Sequence, residues 1–145
     1  MNAIAVAGPV SGRQLHKFGG SSLADVKCYL RVAGIMAEYS QPGDMMVVSA
    51  AGSTTNQLIN WLKLSQSDRL SAHQVQQTLR RYHSDLISGL LPPESAEPLI
   101  AEFIQDLERL AALLDGNVDE VCYAEVVGHG EIWSARLMAA VLNHL

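Results

Sequence analysis

Apolar residues in this chain change period several times, and each change marks an element. Gln14 to Phe18 reads as a short strand; beyond it Leu23, Val26, Leu30, Ala33 and Ala37 recur with the spacing of one helical face. Pro42-Gly43-Asp44 breaks that helix. Met45-Met46-Val47-Val48-Ser49 follows as a continuous apolar run, the signature of a parallel strand buried on both faces. Strand, helix and strand make a βαβ unit, whose right-handed crossover sends the ends of both strands to one sheet edge. A second helix then carries Leu58, Ile59, Trp61 and Leu62 inward, with Thr54 or Thr55 able to cap it. After the linker Ser65-Gln66-Ser67-Asp68, Val75, Leu79, Tyr82, Leu86 and Leu90 mark a long amphipathic helix ended by Pro92-Pro93. Leu99, Phe103, Leu107, Leu110 and Leu114 mark its partner, closed by Asp115-Gly116-Asn117, so the two are expected as a hairpin against the sheet. The class is α/β, with parallel strands, helices on both faces and a helical hairpin insertion.

The 145 residues suit one ordinary domain, and an apolar content of 48% suffices for a core. A net charge of −5 argues against non-specific nucleic-acid binding, which needs basic surface, and makes Arg80-Arg81 a solvated helix face. Cys28 and Cys122 lack any C-x-x-C spacing and are expected as reduced thiols. No run is long enough to span a bilayer, which points to a cytoplasmic protein without a membrane partner. Residues 1–12 are expected as a flexible leader, and 13–145 as the ordered part.

The candidate chemistry sits where strands end. Lys17-Phe18-Gly19-Gly20-Ser21-Ser22 joins the first strand to its helix through two glycines that let backbone N–H groups approach an anion, with a lysine charge beside them and hydroxyls after. Ser22 with Asp25 has the form of a capping box, which would start the helix next to the glycines. The second strand opens into Ser49-Ala50-Ala51-Gly52-Ser53-Thr54-Thr55-Asn56, either a plain capped junction or a second wall of the same site. Gly128-His129-Gly130-Glu131 interrupts a helical pattern. It admits three readings: a metal site of the His-x-Glu kind, which lacks its Pro-Cys-x-x-Cys partner; close packing at the glycines; or Glu131 at a helix start, receiving a substrate ammonium.

These three segments, in this order, resemble the aspartate kinases of the amino-acid kinase fold. Leu15–Ser40 and Asn56–Tyr82 are similar to the start of the bifunctional aspartokinase–homoserine dehydrogenases of the methionine branch. The resemblance implies transfer of the ATP γ-phosphoryl to the side-chain carboxylate of L-aspartate, on the way to lysine, threonine and methionine. It implies Lys17 as the catalytic charge and phosphate ligand, Gly19, Gly20, Ser21 and Ser22 as further ATP phosphate contacts, and Ser49, Thr55 and Glu131 as aspartate contacts. Mg²⁺ would arrive on ATP with no protein metal site, and NADP would serve only the dehydrogenase part. The parent is expected to be a homo-oligomer. Family members continue into a nucleotide-binding half with a Gly-Ser-Asp segment and a second lysine, neither of which this sequence contains. Residues 13–145 are therefore expected to be the amino-acid-binding half and inactive alone. Two other functions remain open: an acetylglutamate or uridylate kinase type, whose acceptor has no ammonium for Glu131, and a non-catalytic assembly or binding fragment.

Overall fold

A computed structural model describes residues 12–145, so all but the last residue of the expected leader lies outside the described residues. Strand β1 (Leu15–Phe18) leads through a short 3-10 turn (Gly20–Leu23) into α1 (Val26–Tyr39), and β2 (Met45–Val48) pairs with β1 in parallel, Leu15 opposite Met45 and Lys17 opposite Val47. Helices α2 (Thr54–Ser65), α3 (Arg69–Leu90), α4 (Pro93–Leu114) and α5 (Glu120–His144) follow. The βαβ unit and the α3–α4 hairpin are those the hydrophobic pattern predicts.

The strand entrance is held by Asp44. Its carboxylate accepts from the Gln14 and Gln41 backbone N–H groups at 2.8 and 2.9 Å and from His16 Nε2 at 3.1 Å. Those donors, the backbone ones foremost, hold its pKa down at about 2.

Several details depart from the pattern. The sheet is not buried on both faces: Leu15, Met45 and Val47 are 63%, 60% and 45% exposed on one face, while Phe18, Met46 and Val48 pack on the core from the other. Among the described residues the helices therefore cover one face of the strands. The hairpin packs chiefly on α2 and α5 rather than on the sheet, because two four-residue strands offer too little surface for two 22-residue helices. In α1 the inward face is Tyr29, Val32, Ala33 and Met36, with Leu30 and Ala37 exposed. Lys27, Arg31 and Glu38 share the opposite, solvent side, and Leu30 and Ala37 flank it; the Tyr29 hydroxyl, hydrogen-bonded to Ser134 Oγ at 2.7 Å inside the core, helps set which apolar stripe turns in. The α1 cap is Asp25, accepting from the Cys28 N–H at 2.8 Å, with Ser22 inside the preceding 3-10 turn, so no Ser22 capping box forms.

The core runs between α2, α3, α4 and α5 and includes Leu58, Leu79, Phe103, Leu110, Trp133 and Met138. Cys28 and Cys122 are free. Arg80 and Arg81 are exposed, and no described helix is long and apolar enough to cross a membrane.

Candidate functional site

Both small-residue loops leave the C-terminal ends of the strands and touch each other. The Ser49 N–H donates to Phe18 O at 3.0 Å, extending the ladder one step past the strands, and the Gly52 N–H donates to Gly20 O at 3.1 Å. A Cβ on Gly20 would stand 2.9 Å from Ala50 O and 3.2 Å from Gly52 O, so only glycine permits this approach. Gly52 itself has φ +52°, the left-handed region, which turns the chain from β2 back toward α2. Gly19 differs: nothing lies within 4 Å of where its Cβ would be. That open space, beside exposed Lys17 and Ser21, fits a phosphate oxygen.

Lys17 alternates with Phe18 along β1 and so lies on the open sheet face, opposite Val47. Among the described residues it makes no ion pair. Ser22 has its N–H committed to Gly19 O at 3.0 Å, and Ser49 and Thr55 are half-buried in the second loop and the first turn of α2. Ser53, not Thr54 or Thr55, occupies the N-cap of α2. Thr54 is fully buried: its hydroxyl donates to Ala51 O at 2.6 Å and accepts from His83 Nε2 at 3.0 Å.

The third segment is placed differently from expectation. Gly128-His129-Gly130-Glu131 lies in the middle of the unbroken α5, so Glu131 is not at a helix start. The glycines do not break the helix because buried neighbours before and after them, Val126, Trp133, Leu137 and Met138, pin it into the core. Gly130 is a packing glycine: its Cβ would meet Ala50 Cβ at 2.8 Å and Thr54 Cγ2 at 3.3 Å, which seats α5 against the second loop. Glu131 follows it, exposed and without a partner among the described residues. His129 faces elsewhere. Its Nδ1–H donates to Glu125 O at 2.6 Å, and Nε2 accepts from Arg109 Nη2 at 2.8 Å, which leaves no lone pair for a metal. No group of potential metal ligands exists among the described residues. The structure thus joins the first two segments directly and brings the Glu131 turn of α5 onto the second.

The glycines of α5 give opposite expectations. Gly128→Ala, with empty space at its Cβ, stabilises by about 0.5–1 kcal/mol through helix propensity. Gly130→Ala forces α5 off Ala50 and costs about 1–3 kcal/mol. Thermal melts of the two variants beside wild type check the pair; equal shifts would mean that α5 does not rest on the loop through Gly130.

Parallel strands joined by a crossover helix thus bring two small-residue loops together at one sheet edge. The chain belongs to the amino acid kinase family, whose model matches residues 12–145. It is 81% identical over 143 residues to bifunctional aspartokinase/homoserine dehydrogenase 2 of Escherichia coli (strain K12), covering 99% of this chain and 18% of that protein. It is also 27% identical over 134 residues to bifunctional aspartokinase/homoserine dehydrogenase 1, chloroplastic, of Arabidopsis thaliana, covering 89% of this chain and 15% of that protein. The chain thus spans less than a fifth of the length of these relatives. Its fold matches E. coli aspartokinase III solved with aspartate and ADP, with TM-score 0.79 at 22% identity over 91% of this chain and 29% of that one. The same enzyme with lysine and aspartate gives TM-score 0.78.

Proposed function

We propose that these residues form the amino-acid-binding half of an aspartate kinase, within a longer polypeptide that transfers the ATP γ-phosphoryl to the side-chain carboxylate of L-aspartate. The observation that carries this reading is the meeting of the glycine loop and the second loop at Gly20 and Gly52, with Lys17, which makes no ion pair among the described residues, beside the open Gly19. The family, the 81% identical bifunctional relative and the fold match support it.

In this reading a carboxylate oxygen of aspartate attacks the γ-phosphorus, the bond from that phosphorus to the β–γ bridging oxygen breaks, and ADP leaves. An ionised carboxylate needs no general base, so the protein's task is to bring two anions together and neutralise charge as the phosphoryl group moves. Lys17 supplies that charge, and the Gly19, Gly20, Ser21 and Ser22 loop presents backbone N–H groups and hydroxyls to the phosphates. Ser49 and Thr55 hold aspartate from the second loop, and Glu131 on α5 receives its ammonium. Mg²⁺ comes bound to ATP, in keeping with the ion's reluctance to shed water into an all-protein cage. NADP would serve only a dehydrogenase part of the longer protein, and no residue here is assigned to it. Cytoplasmic location and a homo-oligomeric parent belong to the same proposal.

The test is ADP release by the full-length protein with L-aspartate, N-acetylglutamate or UMP as acceptor. Aspartate-dependent release supports the reading. Release with another acceptor alone, or with none, overturns it.

A further inference from the structure

We infer that Tyr82 and His83, adjacent on α3, are positioning residues that hold the two site loops in register from behind. The inference rests on the aspartate kinase reading for what the loops bind, and on geometry for how they are held. The Tyr82 hydroxyl donates to Ala24 O at 2.9 Å, at the end of the 3-10 turn that carries the glycine loop. The same oxygen lies 2.9 Å from where a Cβ on Gly52 would stand, so one hydroxyl abuts both loops. His83 takes the other anchor: its Nε2–H donates to Thr54 Oγ1, whose own hydroxyl donates to Ala51 O. That chain of two hydrogen bonds fixes the peptide between Ala50 and Gly52 and the first turn of α2, where Thr55 stands.

The anchors are rigid because α3 is. The His83 ring packs on Tyr82, Phe103 and Trp133 with centroids 5.0–5.1 Å away, and Gly89 lies so close to α1 that a Cβ there would come 2.6 Å from Val26 Cγ2. The helical hairpin is thereby tied to the sheet edge through two side chains. A displacement of α3 would move both loops together, and so would change the spacing between phosphate and acceptor contacts.

The experiment uses full-length Tyr82→Phe, His83→Leu and His83→Gln, with steady-state kinetics and amide hydrogen exchange. Losing one hydrogen bond of this kind is worth about 3–10-fold in an equilibrium. Tyr82→Phe and His83→Leu are expected to raise the KM for aspartate by about 5-fold and to speed exchange in residues 19–24 and 49–55, with α4 unchanged. His83→Gln, whose amide can donate to Thr54, is expected to restore both. Unchanged KM and exchange overturn the inference, as does exchange that quickens uniformly through α4, since that describes a general loss of stability. If the wild-type protein does not phosphorylate aspartate, the functional reading fails while loop exchange still decides the positioning role.

Discussion

Replacing Lys17 by Met in the full-length protein lowers kcat for aspartate phosphorylation by about 10²–10³-fold, with KM for aspartate changed by less than about 3-fold. The asymmetry follows from where the charge sits. Lys17 is exposed at the end of β1 on the open sheet face, and no carboxylate of the described chain neutralises it. An ammonium there meets charge already present on ATP, but its contact strengthens as negative charge spreads over the moving phosphoryl oxygens, and only that difference accelerates the reaction. The aspartate ammonium and α-carboxylate are bound by other groups in this reading, so ground-state affinity for aspartate is little touched. Lys17→Arg keeps the charge but replaces a compact point donor with a planar fork, and is expected to fall between the two. Steady-state rates from ADP release decide the matter. A Lys17→Met enzyme within a few-fold of wild type would remove Lys17 from the reaction.

How far such a site can be read from a sequence depends on what carries the information. The glycine loop and the strand beyond it were legible because strand, Gly-Gly turn and helix are local, and Gly20 is needed where a backbone oxygen of Ala50 comes to within 2.9 Å of its missing Cβ. The contact partner, Gly52, was legible only as a member of a small-residue run. The α1 face is less legible because Leu30 and Ala37, which border the charged side of Lys27, Arg31 and Glu38, share the 3.6 period with the buried residues, and a buried hydrogen bond 105 residues away, from Tyr29 to Ser134, helps orient the helix. Paired glycines are poor helix formers, so the sequence points to Glu131 at a helix start. In the structure the close seat of Gly130 on Ala50 and Thr54 outweighs that propensity, and α5 runs through. In the sequence Tyr82 falls on an apolar helical face, while His83 carries no pattern of its own. Their roles arise from contacts 58 and 29 residues away, at Ala24 and Thr54, which periodicity does not encode. The one available signal was a histidine next to an inward-facing tyrosine on a long amphipathic helix.

His83 also makes the fold acid-sensitive in a defined window. The ring is 2% exposed, caged by Tyr82, Phe103 and Trp133, and burial pushes its pKa down from 6.5 to about 4. Thr54 Oγ1 spends its proton on Ala51 O, so it receives Nε2–H, and the proton-free Nδ1 would have to take up any added charge without a partner. Glu102 and Arg136, which line the small cavity beside the ring, are engaged with each other at 3.4 Å, and Arg136 also with Asp106 at 2.7 Å. The unfolded chain therefore binds this proton first. Stability is complete above pH 6.5, falls as pH drops toward 4 and levels off below, a loss of about 3 kcal/mol from this group. Carboxylates such as Asp44, held at about 2, lose their contribution only at lower pH and do not share the window. Urea unfolding of wild type and His83→Gln between pH 7 and pH 4 isolates the effect, because glutamine is neutral throughout. The difference in unfolding free energy between the two proteins is expected to shrink or reverse as pH falls. A difference independent of pH would show that His83 binds its proton equally well in the folded and unfolded chain, so that burial does not hold the ring neutral.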